Sequence, residues 1–293
     1  MLPRFRRAGK SPCRGKNKLI TMHFGATLRL LRLESGISLR ALAQQVGVSG
    51  AYLSRVENGH DAAPTPDRLV AIADAIGVPA AVLLDLAQQT GSAVSGYLQR
   101  VPAASSLFLD IAERDLGSAQ IARIKAFIDA EFPVRRGRAG PGGVTRIRDL
   151  LTPSRVVLKL ACSQLEDLID VAVSRLPTAG GLSTREMTAR VRAREKEAPS
   201  VVGGGLAVPH GLVPGAPLAA ALVTLARPLP LDTPDRQPVT VALVVVWGEA
   251  GRRNLDLIAR AARLASCDIA EELRTATTAA RALTVIEKTE SLW

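Results

Sequence analysis

Apolar residues recur with a helical period over the first third of the chain. Within residues 39–46 they stand at i, i+3, i+4 and i+7, and residues 69–76 repeat this spacing. Gly47, Gly59 and Gly77 interrupt the pattern, and prolines stand where further helices would start. The pattern predicts an all-α domain over residues 23–90, with helical periodicity that begins just after Met22 and no room for a strand.

The pattern weakens over residues 91–145, which are expected to form a helical connector and a linker. Residues 103–132 have the character of two amphipathic helices that are broken at Gly117-Ser118. The segment PVRRGRAGPGG at 133–143 is rich in Gly, Pro and Arg, a composition typical of a flexible basic linker.

Short apolar runs alternate with helical patterns over residues 146–293. β-branched residues with Pro or Gly flanks indicate buried strands, and the predicted strands are 155–160, 205–209, 219–226 and 239–247. Helical periodicity occupies 163–175, 184–195, 254–265, 268–276 and 278–289. The chain is therefore predicted to be multidomain, with an α/β domain of about 145 residues after the helical one.

The chain has a net charge of +11 and a pI of about 10.4, which suggests an anionic partner. Residues 1–20 hold seven bases and no acid, so the remainder carries 11 − 7 = +4. Two interpretations of this basic end stay open. Residues 1–22 are a disordered arm able to touch DNA phosphates, or translation starts at Met22 instead of Met1.

The composition also limits compartment and cofactor chemistry. The three cysteines are far apart and form no metal-binding spacing, which fits a reducing cytoplasm. No apolar run reaches the roughly 18–20 residues of a membrane span, so no membrane insertion is expected. No cofactor and no metal site are predicted.

The segment SLRALAQQVGVSGAYLSRVENG at 38–59 has the spacing of two helices joined by a tight turn. Gly47 is suited to the left-handed turn conformation, and Ser49 is suited to cap the second helix. Leu53 and Val56 are expected to face the core. The outward positions of this helix are then Gly50, Ala51, Tyr52, Ser54 and Arg55.

This segment resembles the Cro/repressor (XRE) helix-turn-helix family, and the resemblance covers roughly residues 24–87. It implies that the second helix enters the DNA major groove. The residues that would then face bases or phosphates are Ser49, Gly50, Ala51, Tyr52, Ser54 and Arg55, with Arg55 the candidate for a guanine contact. Arg40 and Asn58 would touch phosphates. Leu39 stands where family members often carry Gln.

The segment GGGLAVPHG places His210, one of three histidines, after three glycines and a proline. The segment lacks the P-loop and hydrolase motifs, and it has no neighbouring metal ligand. An imidazole is a nucleophile near neutral pH, glycine N–H groups bind anions, and Arg194 supplies a positive charge suited to phosphate. These residues predict an imidazole that accepts a phosphoryl group.

Residues 146–290 resemble the enzyme IIA domain of the phosphoenolpyruvate-dependent sugar phosphotransferase system, mannitol/fructose/nitrogen type. The resemblance rests on LTPSRVVLKL, Arg194-Glu195, GGGLAVPHG, PLPLDTPDRQPVTVALVVV and NLDLIARAARLA. It implies a mixed sheet with flanking helices and phosphoryl transfer from the carrier HPr to His210, with Arg194 stabilising the oxygens. Asn254 stands where the family usually has a second active-site histidine. The Asn side chain does not gain or lose a proton as a histidine does, so onward transfer of the phosphoryl group is in question.

Together these features predict a transcriptional regulator that couples carbon or nitrogen status to gene expression through phosphorylation of His210. It would bind double-stranded DNA as a homodimer, and the two copies would contact each other through the 103–132 helices. An HPr-like phosphocarrier would donate the phosphate. Phosphate charge would act on Arg135, Arg136 and Arg138 in the linker or on arginines beside it. Two alternatives stay open: a phosphocarrier with a helical docking module, and a degenerate, unphosphorylated sensor.

Overall fold

The computed structural model describes residues 14–88, 90–132, 146–178, 182–233, 235–267 and 269–291. Residues 1–13 and the predicted linker at 133–143, with Arg135, Arg136 and Arg138, lie outside this part of the chain. The predicted fold class is confirmed: a helical helix-turn-helix region is followed by an α/β domain with a mixed sheet and flanking helices.

Five helices form the N-terminal region: α1 (Arg14–Glu34), α2 (Leu39–Gln45), α3 (Gly50–Glu57), α4 (Pro66–Ile76) and α5 (Ala80–Leu86). The hydroxyls of Ser38 and Ser49 each accept a backbone N–H, at 3.1 Å, and so cap α2 and α3. Gly47 turns the chain between them with φ of +66°. Ser49 therefore caps α3, and Gly47 adopts the left-handed turn conformation, as predicted from the sequence.

Helix α1 begins at Arg14, nine residues ahead of residue 23, where the periodicity predicts its onset. A helix, and not an irregular arm, therefore occupies residues 14–22. The apolar period could not show this part of the helix because Arg14–Lys18 is almost wholly polar. Arg and Lys have good intrinsic helix propensity, which a search for an apolar stripe does not register.

A buried ion pair fastens α1 to α3. The Arg32 guanidinium donates through Nε and Nη2 to the two Glu57 carboxylate oxygens, at 2.6 and 2.8 Å, and both side chains are buried. Two paired hydrogen bonds of this kind fix the relative orientation of two groups as well as attracting them. Close by, Gly25 lies so near the Val56 carbonyl oxygen that a Cβ on residue 25 would be 2.3 Å from it. The two helices thus meet at backbone distance.

Three helices form the connector: α6 (Thr90–Arg100), α7 (Pro102–Glu113) and α8 (Ser118–Glu131). Helices α7 and α8 are the two predicted over 103–132, and Gly117 is the N-cap of α8. Helix α6 was not predicted, because its sequence TGSAVSGYLQR has too few apolar residues to show a stripe. Several large apolar side chains of the connector are exposed: Leu107, Phe108, Leu109, Phe127, Ile128 and Phe132.

The C-terminal domain contains a six-stranded mixed sheet of β1 (Val156–Leu160), β2 (Val201–Gly203), β3 (Leu206–Ala207), β4 (His210–Leu212), β5 (Ala219–Leu229) and β6 (Val239–Trp247). The strand order is β1-β5-β6-β3-β2, with β4 also paired to β6. Strand β5 runs parallel to β1 and antiparallel to β6, while β3 and β4 follow each other along β6 in parallel register.

Helices cover both faces of this sheet. Helices α10 (Leu165–Val173) and α11 (Thr184–Glu197) pack on the face that Ala242, Val244 and Val246 present. Helices α12 (Arg252–Ser266), α13 (Ile269–Thr275) and α14 (Ala279–Glu290) pack on the face of Leu243 and Val245. This alternation is the period of two expected of a strand buried on both sides. The short helix α9 (Ile147–Leu150) and a 3₁₀ turn at Pro153–Arg155 precede β1.

The predicted single strand over 205–209 was wrong. Residues 201–212 instead form three short strands, with β2 and β3 joined as a hairpin and β4 beginning at His210. Gly203, Gly204 and Gly205 make the hairpin turn with φ of +93°, +58° and +71°. Strands of two or three residues are too short to show an alternating pattern.

The helix-turn-helix region packs directly against the C-terminal domain. Helix α1 contacts β2 and α12, and α5 contacts α12, so that one apolar core runs through both. An ion pair between Asp85 of α5 and Arg263 of α12 crosses the same contact. Over the described residues, no helix has both the length and the apolar character that a bilayer crossing requires.

Candidate functional site

His210 is the first residue of β4, and its imidazole is held on two sides. Nδ1 lies 2.6 Å from the Val208 carbonyl oxygen, and the ring stacks on the Trp247 indole with centroids 5.3 Å apart. A carbonyl oxygen only accepts hydrogen bonds, so Nδ1 carries the proton. In the neutral ring the lone pair is then on Nε2, which is the atom able to act as nucleophile.

Gly211 brings helix α11 close to this strand. A Cβ on residue 211 would lie 3.1–3.3 Å from three atoms of Val191, so a side chain there would push α11 away. Arg194 follows Val191 by one turn of the same helix. The close approach of α11 to β4 therefore places the Arg194 guanidinium beside His210.

The Arg194 guanidinium and the His210 imidazole converge on one carboxylate oxygen, Oε1 of Glu34. Arg194 donates to it through Nε at 2.7 Å and also through Nη2, and His210 Nε2 lies 3.2 Å from it. Arg194 also donates to the Ala198 carbonyl oxygen, at 3.1 Å. We call these three side chains, Glu34, Arg194 and His210, the His210 site.

Glu34 is the last residue of α1, which comes from the helix-turn-helix region. Burial opposes ionisation of its carboxyl, but the close approach of the His210 imidazole, together with the charge and hydrogen bonds of Arg194, outweighs burial and lowers the pKa of Glu34 from its ordinary value. Glu34 is therefore an anion at neutral pH. A negative side chain at a helix C-terminus is opposed by the helix dipole, so its favourable partners lie outside α1.

His210 is enclosed within this arrangement. Its side chain is only 1% exposed, and Nε2 has no hydrogen-bond partner among the described residues, although Glu34 Oε1 lies 3.2 Å from it. The contact is an ion pair only when the imidazole is protonated, and a protonated Nε2 has no lone pair with which to attack phosphorus. In this conformation the imidazole is both covered and faced by an anion.

The glycine triplet does not line the His210 site, contrary to the sequence-based expectation of anion-binding backbone donors. The Gly204 N–H donates to the Asp235 carboxylate at 2.8 Å, and a Cβ on residue 204 would lie 2.5 Å from the Ala265 carbonyl oxygen. The triplet is needed for left-handed backbone and for close approach to the end of α12. Of the glycines in this segment, Gly211 is the one that shapes the His210 site, because it lets α11 approach β4.

Asn254 lies in the first turn of α12, where it is buried. Its Nδ2 donates to the Glu249 carbonyl oxygen at 2.8 Å, which holds the loop that leads into the helix. Among the described residues, no hydrogen bond joins its side chain to His210. The expectation that Asn254 orients the imidazole thus stays a prediction.

The outward face of α3 is open, and the C-terminal domain does not cover it. Ala51, Arg55 and Asn58 are exposed, as are Ser49 before the helix and Arg40 on α2, while Gly50, Tyr52 and Ser54 are half-buried. Arg55 is engaged with Asp61, at 2.7–3.0 Å, and this hydrogen bonding lowers the pKa of the Asp61 carboxyl. Asn58 donates to the Ser54 carbonyl oxygen at 2.7 Å.

Glu34, Trp247 and Glu57 were not predicted from the sequence as site or support residues. Glu34 is 160 positions from Arg194, so no spacing pattern could connect them. Trp247 ends a strand that was predicted, and an aromatic residue there is typical of core. Within the described ranges, no group of three or more His, Cys, Asp or Glu side chains is close enough to hold a metal ion.

Two family models match the chain. Residues 23–86 match the helix-turn-helix domain, and residues 149–289 match "Phosphoenolpyruvate-dependent sugar phosphotransferase system, EIIA 2". A nitrogen regulatory protein of Bradyrhizobium diazoefficiens is 30% identical over 131 residues, which are 44% of this chain and 86% of that protein.

Two further proteins are similar to single parts of the chain. The HTH-type transcriptional repressor RghR of Bacillus subtilis is 41% identical over 56 residues, 19% of this chain and 42% of RghR. The crystal structure of the nitrogen regulatory protein IIA-Ntr from Neisseria meningitidis aligns at a TM-score of 0.43 and 26% identity, over 48% of this chain and 98% of that one. The chain spans between 20% and 86% of the curated relatives that it matches.

Proposed function

The chain belongs to the phosphotransferase-system EIIA 2 family and carries a helix-turn-helix domain in front of its EIIA 2 domain, and from this premise we propose that it is a transcriptional regulator phosphorylated on His210. An HPr-like phosphocarrier is the donor, and the phosphate couples carbon or nitrogen status to gene expression. DNA binding and phosphoryl transfer both place the protein in the cytoplasm. Its DNA-binding domain is residues 23–90, its connector is 91–145 and its phosphoacceptor domain is 146–293, and residues 1–22 precede the DNA-binding domain.

The observation that carries the proposal is the convergence of two groups on a single anion. Arg194 Nε and His210 Nε2 both approach Glu34 Oε1, at 2.7 and 3.2 Å. A guanidinium beside the nucleophilic nitrogen is the arrangement that stabilises the oxygens of a phosphoryl group in transfer, since this chemistry depends on positioning and charge. The Val208 carbonyl fixes the tautomer that transfer requires.

In the proposed step the Nε2 lone pair attacks phosphorus and forms a P–N bond. The bond between phosphorus and the carrier breaks, and its electron pair leaves with the carrier. The proton on Nδ1 remains with its Val208 hydrogen bond, which stabilises the positive charge that develops on the ring. Arg194 neutralises charge on the phosphoryl oxygens. No other residue needs to exchange a proton.

The environment of Asn254 supports a phosphate that is held as a signal instead of passed on. Its amide is committed to the Glu249 carbonyl, and the side chain has no titratable proton. This favours the regulator over the alternative of a sugar phosphocarrier. The open outward face of α3 is what DNA binding requires of a recognition helix.

We also propose that the regulator acts as a homodimer through α7 and α8. Leu109, Phe127 and Phe132 are 62%, 60% and 68% exposed, and a helix pair with so much apolar surface gains stability when another surface covers it. Helix-turn-helix proteins bind two half-sites that lie about one turn of DNA apart, which requires two copies of the recognition helix.

Incubation with phosphoenolpyruvate, enzyme I and HPr tests the phosphoacceptor. We expect an acid-labile phosphate on the wild-type chain by mass spectrometry, and none on His210→Ala. His60→Ala is the matched control, since His60 is exposed in the helix-turn-helix region, and it should label like wild type. An unlabelled wild-type chain under long incubation would leave the degenerate sensor as the correct interpretation.

DNA binding is tested by selecting sequences from a random pool and titrating salt. The proposal predicts a preferred sequence, a steep fall of affinity with salt, and different operator affinities before and after phosphorylation. Equal affinity of both forms for the same operator would rule out the signalling role. Absence of binding at low salt would rule out DNA as the partner.

A further inference from the structure

The helix-turn-helix region occupies the place that a phosphoryl group on His210 would need. Glu34 Oε1 lies 3.2 Å from Nε2, and a covalent P–N bond is shorter than this contact. Phosphorus and its three oxygens would therefore fall in the volume that the Glu34 carboxylate fills. The carboxylate also takes the Arg194 hydrogen bonds that the phosphoryl oxygens would use.

From this we infer that Glu34 is an internal substitute for the phosphoryl group. Docking of α1 on the EIIA 2 domain and phosphorylation of His210 then exclude each other. The inference rests on the proposed function, because it concerns the regulation of the same histidine. It adds an occupant to the surface that the phosphocarrier must contact: the end of α1 from the same chain.

Access supports the exclusion. His210 is 1% exposed, and Glu34 and Arg194 are 15% and 18% exposed, so no incoming phosphorylated carrier reaches Nε2 while α1 is in place. Helix α1 cannot move by itself, because the Arg32–Glu57 ion pair joins it to α3. Opening the site therefore moves the recognition helix together with α1.

Electrostatic repulsion also supports the mutual exclusion of α1 docking and phosphorylation. Phosphorylation adds about −1.5 to −2 charges to a side chain, by analogy with other phosphorylated residues. Placed beside the Glu34 carboxylate, this charge repels α1 and takes Arg194 from it. The remaining contacts between the two parts include the Asp85–Arg263 ion pair and the apolar contact of α1 and α5 with α12.

Exclusion of this kind is reciprocal. A ligand that favours the docked form lowers phosphorylation by the same factor as phosphorylation lowers its binding to the protein. An operator whose half-sites match the docked position of α3 would thus lower the equilibrium extent of His210 phosphorylation. An operator that requires the undocked position would raise it.

The test measures the initial rate of phosphorylation by phosphoenolpyruvate, enzyme I and HPr in the full-length chain. Glu34→Gln keeps the shape of the side chain but removes its charge, and we expect labelling at least about tenfold faster than wild type, or ~1.4 kcal/mol. Glu113→Gln, at an exposed position on α7, is the matched control and should label at the wild-type rate.

A second variant loosens docking without touching the site. Asp85→Asn removes one side of the α5–α12 ion pair and should also accelerate labelling, with a smaller effect than Glu34→Gln. Small-angle scattering gives an independent readout. The radius of gyration of the wild-type chain should rise on phosphorylation. That of His210→Ala should stay unchanged after the same incubation with phosphoenolpyruvate, enzyme I and HPr.

The outcomes separate the inference from the proposed function. Equal labelling rates of wild type and Glu34→Gln would overturn the inference and leave His210 as the phosphoacceptor. Absence of label on every variant would overturn the proposed function and, with it, the inference. Faster labelling of Glu34→Gln and Asp85→Asn, with Glu113→Gln at the wild-type rate, would support both.

Discussion

At the scale of single residues, the most consequential contacts are charged pairs whose partners are far apart in sequence. Arg32–Glu57 bridges 25 positions and Glu34–Arg194 bridges 160. The first is enclosed within the helix-turn-helix region and fixes its structure, whereas the second joins two parts that, by the inference above, separate on phosphorylation. The two ion pairs therefore have similar chemistry but different roles, and the difference follows from how deeply each pair is buried.

Glu57→Gln is expected to destabilise the helix-turn-helix region, because it leaves the Arg32 guanidinium buried without its counter-charge. Breaking such a pair from one side costs about 3–5 kcal/mol. Urea unfolding followed by circular dichroism measures the change. Glu113→Gln should be neutral, and a loss equally small for Glu57→Gln would contradict the structural role of the pair.

Asp61 is expected to restrain the residue that the sequence offers for base contact. Arg55 must leave Asp61 before it contacts DNA, so Asp61→Asn should strengthen operator binding by up to about fivefold, the range of an exposed ion pair. Arg55→Ala should weaken binding. Fluorescence anisotropy at two salt concentrations measures both, and weaker binding by Asp61→Asn would exclude this role for Asp61.

At the scale of elements, the long strands and amphipathic helices were predictable, and the elements around the site were less so. β5 and β6 have nine or more residues with apolar side chains on both faces, so local composition defines them. β2, β3 and β4 have two or three residues each and exist because β6 and the neighbouring hairpin pair with them. Their definition is non-local, and no window of sequence contains it.

The same distinction explains the candidate site. His210 and Arg194 could be proposed from residue chemistry and a family resemblance. Glu34 could not, because its approach depends on how α1 and α5 pack against α12 and β2. The glycine triplet misled for the reverse reason: three glycines indicate unusual backbone, but only the fold decides whether a ligand or α12 lies next to them.

Glycine positions test the close approaches between elements. Gly25→Ala would place a Cβ 2.3 Å from the Val56 carbonyl oxygen, so α1 must move from α3, and a loss of about 1–3 kcal/mol is expected. Gly50→Ala meets nothing within 4 Å and should be neutral or slightly stabilising in helix α3. Thermal unfolding compares them, and equal midpoints would contradict the packing of α1 on α3.

At the scale of the whole molecule, one apolar core joins the helix-turn-helix region to the EIIA 2 domain, while the connector helices leave apolar surface uncovered. The two surfaces therefore have separate roles in the proposal: one internal contact that opens, and one contact between copies that stays. Rearrangement within each chain then changes how two recognition helices are spaced in the dimer.

Leu109→Glu combined with Phe127→Glu should convert a dimer to a monomer, because charges replace exposed apolar side chains of α7 and α8. Sedimentation equilibrium gives the mass, and operator binding should weaken as the half-sites lose their linkage. Leu212→Glu, an exposed apolar position on β4 away from the connector, is the control. An unchanged mass of the double variant would place the dimer contact elsewhere.

The stacking of Trp247 on His210 has an optical consequence. The chain has two tryptophans, so Trp293→Phe leaves a single indole, 5.3 Å from the imidazole whose charge the proposed reaction changes. Its emission should respond both to the charge of that ring and to water admitted when α1 departs. Stopped-flow measurement of this tryptophan's emission, without an added dye, would then follow opening and phosphoryl transfer as two events in time.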